Sequence, residues 1–240
     1  MRKINLYCLP FAGGNRYSYR KYEQAGLPHA NIIPLEYPGH GDRLREPLMN
    51  NIRDIATDLY RTLKSQVIDT EYAIYGHSMG ATVGFELIRQ IIGNGGPAPL
   101  HFFITGTTGP SSLSRKEKKW YLLPREDFFL KLKELDGFPS GFLDNEELLD
   151  FIEPIIRADF YAVESYEYEK GRRFDFPLTV ITGTGEKMKE DDISLWQEET
   201  LYQVEFKKME GKHFFIFDNV QEILKTITEN LFKSYKTFSV

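Results

Sequence analysis

Cysteine is nearly absent from this sequence. The 240 residues include one, Cys8, within the apolar run from Leu6 to Pro10. A single cysteine excludes an intramolecular disulfide, and its apolar neighbours indicate a buried thiol. The composition therefore fits a reducing compartment.

Long apolar runs are also absent, and we expect no targeting leader. No stretch approaches the ~20 apolar residues that a membrane-spanning helix needs. Met1-Arg-Lys-Ile leads within a few residues into a strand-like segment, and it has neither the apolar stretch nor the small-residue cleavage site of a signal peptide. We therefore expect a soluble, cytoplasmic protein with no membrane association.

Charge of one sign is not concentrated anywhere. The net charge is -5, and basic residues are scattered apart from the short runs at 115–119 and 170–173. A nucleic-acid-binding face needs clustered Lys and Arg, so we expect no nucleic-acid partner and interpret both runs as solvated surface.

The sequence does have a regular alternation of strand-like and helix-like segments. With 41% hydrophobic and 27% charged residues, the chain can bury a core as one domain with an insertion. Continuous short apolar runs predict strands that are buried on both faces, and apolar residues at three- and four-residue spacing predict helices. This alternation favours a mostly parallel sheet flanked by helices. The predicted strands are Ile4–Leu9, Ile32–Leu35, Tyr72–Tyr75, His101–Thr105, Leu178–Thr182 and Val204–Lys207, and the helices are Ile52–Ser65, Ala81–Ile92 and Val220–Phe232.

The alternation breaks between about Leu113 and Glu169. Helix-like segments follow one another there, one from Pro124 through Leu135 and one from Asp144 through Arg157. We interpret the segment as a mobile helical lid over the carboxyl edge of the sheet, where open α/β sheets bind ligands. The predicted organisation is a core in two parts, 1–112 and 170–240, with the lid at 113–169.

The strongest motif is Gly76-His-Ser-Met-Gly80, a G-x-S-x-G sequence between a predicted strand and a predicted helix. Glycines suit this sharp turn because side chains there would collide, and the turn exposes the Ser78 hydroxyl above the sheet. The setting predicts an α/β-hydrolase fold with Ser78 as nucleophile. The helix that follows would favour developing negative charge at its N-terminus.

A serine hydroxyl needs a base, and His213 has the position expected for it. The chain order in this fold is Ser, acid, His, and His213 comes late, just after a predicted strand. His77 lies inside the motif and is expected to face away from the site. The other histidines precede the expected place and are interpreted as structural or surface residues: His29, His40 and His101.

The acid that orients the histidine is less clear from the residues. Four carboxylates follow the strand Leu178–Thr182: Glu186, Glu190, Asp191 and Asp192. Glu186 is favoured because it comes soonest after the strand, whereas the other three are typical of a helix start. Asp191 and Asp192 remain the alternatives.

Acyl transfer also needs N–H donors for the oxyanion of the tetrahedral intermediate. The residue after the nucleophile, Met79, is expected to supply one. The loop after the first strand, Pro10-Phe-Ala-Gly-Gly14, should supply the other, with Ala12 preferred to Phe11. This loop lacks the phosphate-binding glycine patterns.

Motifs along the whole chain resemble those of type II thioesterases, the stand-alone editing enzymes of nonribosomal peptide and polyketide synthesis. The motifs are Leu9-Pro-Phe-Ala-Gly-Gly, Tyr37-Pro-Gly-His-Gly-Asp-Arg, Gly76-His-Ser-Met-Gly with Phe85-Glu86, Arg157-Ala-Asp-Phe, Glu164-Ser-Tyr, Trp196 and Gly211-Lys-His-Phe-Phe. Gly-His-Ser-Met-Gly is shared with other thioesterases and some esterases. The combination of Pro-Phe-Ala-Gly-Gly with Arg-Ala-Asp-Phe narrows the choice of family considerably.

The resemblance implies hydrolysis of stalled or wrong acyl groups from the phosphopantetheine arms of carrier proteins, through an acyl-Ser78 intermediate. It implies Ser78, His213, Met79 and Ala12 as site residues and no cofactor or metal, and we expect a monomer. The sequence departs from the family in having Glu186 where aspartate is usual and Lys212 where a second glycine is common.

Two other functions fit the same residues less well. One is a medium-chain fatty-acyl thioesterase or a small-molecule carboxylesterase, since fold alone does not determine substrate. The other is a non-catalytic binding protein, which the intact Ser78 and His213 disfavour. Apolar lid residues would suit any acyl chain: Phe128, Phe129, Leu130, Phe138, Phe142 and Leu143.

Overall fold

A six-stranded parallel sheet forms the centre of the molecule, in the order β2-β1-β3-β4-β5-β6. The computed structural model describes residues 3–136 and 145–238. The inner strands are almost continuously buried because helices cover both faces, and this confirms the predicted mostly parallel sheet. The strands are β1 (Ile4–Leu9), β2 (Ala30–Pro34), β3 (Tyr72–His77), β4 (Phe102–Thr105), β5 (Leu178–Gly183) and β6 (Glu205–Met209).

Helices lie on both faces of this sheet. Alternate strand residues point to opposite faces, so Ile74 packs in the cluster with α2 and α4, whereas Tyr75 packs in the cluster with α1 and α8. The helices are α1 (Arg20–Ala25), α2 (Ile52–Leu63), α3 (Gln66–Asp69), α4 (Met79–Gly93), α5 (Arg125–Glu134), α6 (Glu146–Glu164), α7 (Glu190–Ser194) and α8 (Val220–Phe238). Within the described ranges, none of these helices is long and apolar enough to cross a bilayer.

The segment between β4 and β5 is helical in its described parts, which contain α5, α6 and two short 3-10 turns but no strand. The helix α6 is longer than the sequence pattern predicted: Asn145 caps its N-terminus through the Leu148 N–H, and it ends at Glu164 rather than Arg157. Asn145 suits this position because its side chain accepts an otherwise unpaired N–H.

The two insertion helices share a small apolar cluster of their own. Its buried members are Phe128, Phe129, Leu132, Leu149 and Ile156. Two of the side chains expected to suit an acyl chain, Phe128 and Phe129, are therefore buried in this cluster, while Leu130 is 59% exposed. Phe138, Phe142 and Leu143 lie outside the described residues.

Candidate active site

Ser78 lies at the tight turn between β3 and α4, above the carboxyl edge of the sheet. Its backbone has φ +54° and ψ -116°, a sparsely populated conformation for a residue other than glycine. A Cβ on Gly80 would lie 2.2 Å from the Leu9 carbonyl oxygen, and one on Gly76 would lie 2.5 Å from the Gly80 backbone. Both glycines are thus required by close backbone approach, as the motif predicted.

His213 and Glu186 converge on Ser78 from two neighbouring strand ends. The Nε2 of His213 lies 3.1 Å from Ser78 Oγ, and its Nδ1 lies 2.6 Å from Glu186 Oε1. Glu186 follows β5 and His213 follows β6, so parallel strands bring both loops to one edge of the sheet. The Gly183 N–H donates to the other carboxylate oxygen of Glu186 over 2.7 Å, which fixes the direction of the acid.

In the described residues, none of the three alternative acids bonds His213. Asp192 accepts a hydrogen bond from the Ser112 hydroxyl at 3.0 Å, and Glu190 pairs with Lys208. Asp191 is exposed in the first turn of α7. Of the four carboxylates considered, Glu186 is the one that contacts His213.

His77 does not face away from the site, which differs from our expectation. Its ring lies 4.8 Å, centroid to centroid, from the ring of His213, and its Nδ1 lies 3.0 Å from Thr105 Oγ1. Complete burial, and to a lesser extent the nearby His213, lower the pKa of His77 well below its ordinary value. His77 is therefore a neutral wall against which the His213 ring packs.

The remaining histidines lie away from Ser78. His29 is exposed beside Phe232, and His101 is buried and stacked on Phe103. His40 is also buried, and it pairs with Asp159 of α6 across 119 positions of the chain. The motifs at Tyr37–Arg43 and Arg157–Phe160 contain these two residues, but no spacing rule joins them.

Of the two predicted oxyanion donors, Met79 directly follows the nucleophile, and Ala12 lies in the loop after β1. Met79 is the first residue of α4, and the Gly80 Cβ position would touch both the Leu9 and Pro10 carbonyl oxygens, so the end of β1 abuts this helix start. Within the part of the chain that the structure describes, neither the Met79 nor the Ala12 N–H has an acceptor. Both are available to an oxyanion.

This geometry can carry out acyl transfer through an activated hydroxyl. A serine oxygen, an imidazole and a carboxylate form one hydrogen-bonded series, and the unpaired backbone N–H of Met79 directly follows the serine. Among the residues at 3–136 and 145–238, no group of three His, Cys, Asp or Glu side chains is arranged to hold a metal ion.

The family model described as "Thioesterase domain" matches residues 4–231. The chain belongs to this family. The thioesterase is therefore a hydrolase that acts on thioesters, and its fold is the α/β-hydrolase fold. The predicted fold and the family resemblance are both confirmed.

Relatives match the thioesterase over nearly its whole length. The gramicidin S biosynthesis protein GrsT of Aneurinibacillus migulanus is 28% identical, over 95% of this chain and 89% of its own. The medium-chain S-acyl fatty acid synthase thioesterase of Homo sapiens is also 28% identical, over 99% of this chain and 89% of its own. Among solved structures, the type II thioesterase BorB from the borrelidin biosynthetic cluster has a TM-score of 0.86 and 31% identity, and the match covers 95% of this chain and 93% of BorB.

Proposed function

We propose that this thioesterase is a stand-alone type II enzyme that removes stalled or aberrant acyl groups from the phosphopantetheine arms of carrier proteins in nonribosomal peptide or polyketide synthesis. The observation that carries the proposal is the Ser78–His213–Glu186 hydrogen-bonded series in a chain of which 95% matches BorB, a type II thioesterase. Carrier proteins are the proposed partners, and the enzyme acts on them as a monomer without cofactor or metal.

Acylation begins with attack by Ser78 Oγ on the thioester carbonyl carbon, as His213 Nε2 takes the hydroxyl proton. The Glu186 carboxylate holds the Nδ1–H and stabilises the imidazolium that forms. The Met79 and Ala12 N–H groups donate to the oxyanion of the tetrahedral intermediate. Collapse breaks the carbon–sulfur bond, and the phosphopantetheine thiol leaves with the proton from His213.

Deacylation repeats these steps with water as the nucleophile. His213 removes a proton from water as it attacks the acyl-Ser78 carbonyl, and the same two N–H groups hold the second oxyanion. Collapse releases the free acid and returns the proton to Ser78 Oγ. The carrier protein regains an unblocked thiol, which is the outcome that editing requires.

The segment at 113–169 serves in this proposal as the lid, between core parts 1–112 and 170–240. Its helix α6 packs on the loop after β1, since a Cβ on Gly13 would lie 2.7 Å from the Ile156 side chain. The lid thus reaches the loop that carries Ala12. Reorientation of its helices would open the route for the phosphopantetheine arm.

A medium-chain fatty-acyl thioesterase is the second candidate, since the human enzyme of that type is as similar in identity as GrsT. Acetyl- and decanoyl-phosphopantetheine should therefore be loaded on a peptidyl carrier protein and on a fatty-acid-synthase carrier, and kcat/KM compared with that for p-nitrophenyl decanoate. Preference for the acetylated peptidyl carrier supports the editing role. Preference for decanoyl on the fatty-acid carrier establishes the second candidate instead, and turnover of the free ester alone overturns both.

The Ser78→Ala variant is the matched control in every arm. It should be folded and inactive, because it loses only the hydroxyl. A fluorophosphonate probe should label Ser78 in the wild type and leave both Ser78→Ala and His213→Ala unlabelled. Near-wild-type turnover by Ser78→Ala would remove Ser78 as nucleophile.

A further inference from the structure

Asp159 connects the lid to the loop that carries Ala12. This carboxylate is fully buried on α6, and its Oδ2 accepts the Gly13 N–H over 2.7 Å and lies 3.0 Å from His40 Nε2. Its Oδ1 meets no hydrogen-bond donor in the described ranges. All the hydrogen bonding of this carboxylate is therefore directed at Gly13 and His40.

Beside an Asp159 carboxylate, the geometry favours a protonated His40. Its Nδ1 lies 3.0 Å from the Pro38 carbonyl oxygen and its Nε2 faces the Asp159 carboxylate, and both oxygens can only accept. Burial lowers the pKa of His40, but the hydrogen bonds to Asp159 and Pro38 and the charges of Asp159 and Glu36 raise it by more, so the net shift is upward. His40 and Asp159 thus form an imidazolium–carboxylate pair that is 3% and 0% exposed.

A buried ion pair needs an explanation, because desolvation of two charges offsets much of their attraction and an apolar pair is often as stable. The Gly13 N–H, which also bonds Asp159, supplies this explanation. Gly13 has φ +75° and is half-buried, and its N–H would lose its acceptor if Asp159 were removed. The next N–H, that of Gly14, donates to the Phe11 carbonyl oxygen at 2.8 Å.

These bonds hold the turn on the C-terminal side of Ala12 and leave the Ala12 N–H unpaired. A small rotation of the Ala12–Gly13 segment would change the direction of that N–H, and oxyanion stabilisation depends on donors placed to within a few tenths of an ångström. The acceptor for the turn comes from α6, not from the core. The lid therefore takes part in the geometry of the oxyanion site.

We propose that Asp159 and His40 are a positioning pair that fixes the direction of the Ala12 N–H, so that the lid must be seated for the oxyanion to be stabilised. Asp159 touches neither substrate nor the reacting atoms in this proposal. It acts through Gly13, and His40 holds its charge and direction. The inference rests on the proposed acyl-Ser78 mechanism.

The first test compares steady-state constants for Asp159→Leu and Asp159→Asn with those of the wild type. Asp159→Leu should lower kcat ~10- to 100-fold, less than the ~10²- to 10³-fold lost when an oxyanion donor is removed outright, with KM within twofold. Asp159→Asn should recover part of this loss, because its amide oxygen can still accept the Gly13 N–H. A control on the same helix, Glu164→Gln, should keep the wild-type kcat, since its carboxylate is buried but accepts the Tyr121 N–H instead.

Loss of one charge could unfold the protein, so the double variant His40→Met/Asp159→Leu is the second test. It removes both charges together, which is often neutral for stability, yet Gly13 still loses its acceptor. We expect wild-type-like thermal unfolding with the same fall in kcat, and an equal fall in the rate constant for labelling of Ser78 by a fluorophosphonate. Full kcat in this folded double variant, or a change confined to KM, overturns the positioning role.

The two proposals fail in different ways. If Ser78→Ala retains turnover, the acyl-serine mechanism is wrong, and the positioning role that rests on it falls with it whatever the kcat of the Asp159 variants. If Ser78→Ala is inactive while Asp159→Leu is folded and fully active, the mechanism stands and the positioning pair is wrong.

Discussion

The two oxygens of the Glu186 carboxylate are divided between His213 and the backbone of Gly183. Oε1 lies 2.6 Å from His213 Nδ1 and Oε2 accepts the Gly183 N–H over 2.7 Å. The Glu186 side chain is 5% exposed, so this acid is held from both sides and away from water. The extra methylene relative to aspartate is accommodated by folding the side chain back onto its own turn, where the Glu186 N–H also bonds the Gly183 carbonyl oxygen.

Replacement of this acid should reduce catalysis without unfolding the protein. Glu186→Gln should lower kcat by ~10³- to 10⁴-fold, because an amide cannot stabilise imidazolium and can favour the wrong tautomer of His213. Glu186→Asp should be intermediate, since a shorter side chain cannot keep both contacts. Stopped-flow or steady-state hydrolysis of an acyl-carrier thioester provides the measurement.

Asp192→Asn is the matched control for this series. Asp192 follows the same strand but bonds Ser112 rather than His213, so we expect kcat within twofold of the wild type. If Asp192→Asn is crippled while Glu186→Gln is nearly silent, Glu186 is not the acid.

The second prediction concerns the glycine at the start of α4. Gly80→Ala should be inactive and destabilised by ~1–3 kcal/mol or more, because its Cβ would meet backbone oxygens of β1 that cannot move aside like a flexible side chain. Gly93→Ala, at the other end of the same helix, has no atom within 4 Å of its Cβ position and should be neutral or slightly stabilising. Urea unfolding and Ser78 labelling of both variants test the prediction, and wild-type labelling of Gly80→Ala would contradict it.

The sequence pattern was sufficient for the sheet and for the residues at its carboxyl edge. Apolar runs identified the four inner strands because buried parallel strands have little room for polar residues. Short runs, one of them partly polar, placed the edge strands β2 and β6, which are only partly buried. Ser78, His213 and Glu186 were identified because each follows a strand end, and parallel strands bring those ends together. Their catalytic roles are the part that the proposed substitutions test.

Contacts between distant loops and insertion helices could not be predicted in this way. Phe128, Phe129 and Leu130 are consecutive, so they point about 100° apart around a helix and composition alone does not say which faces inward. The His40–Asp159 contact joins residues 119 positions apart. No periodicity relates them, and the pairing depends on how α6 lies across the loop after β1.

Acid sensitivity of the fold is the third prediction. Burial lowers the pKa of His101 to about 3 from an ordinary value of 6.5. Between these values the unfolded chain binds a proton that the folded protein does not, so stability falls as the pH falls below ~6.5, by ~1.4 kcal/mol per pH unit for one such group. Between pH 7 and pH 5, this histidine should lower the free energy of unfolding by ~2 kcal/mol.

His101→Gln should remove this part of the fall in unfolding free energy at acid pH, because glutamine does not titrate. Its amide can still reach Thr179, the hydrogen-bond partner of His101 Nε2. The exposed His29 offers the control, and His29→Asn suits its left-handed backbone at φ +65°. Urea unfolding at pH 7 and pH 5 should show a smaller difference for His101→Gln than for the wild type and no change for His29→Asn. Equal differences for all three proteins would exclude His101 as a source of the acid sensitivity.

The last prediction is that the lid moves, and that Asp159 limits how far. Its helices have a small cluster of their own and lie outside the two clusters on the sheet faces apart from a few contacts of α6, so local opening should cost less free energy than opening of the sheet. Hydrogen exchange followed by mass spectrometry at neutral pH should therefore show faster exchange at the amides of α5 and α6 than at those of β3.

In His40→Met/Asp159→Leu, hydrogen exchange in α6 and at residues 11–14 should rise together, because the bond that joins them is lost, while exchange in α2 stays unchanged. Protection of α5 and α6 as strong as that of β3 would show a fixed pocket wall instead of a lid, and a rise in α6 without one at residues 11–14 would show that the helix does not hold the turn.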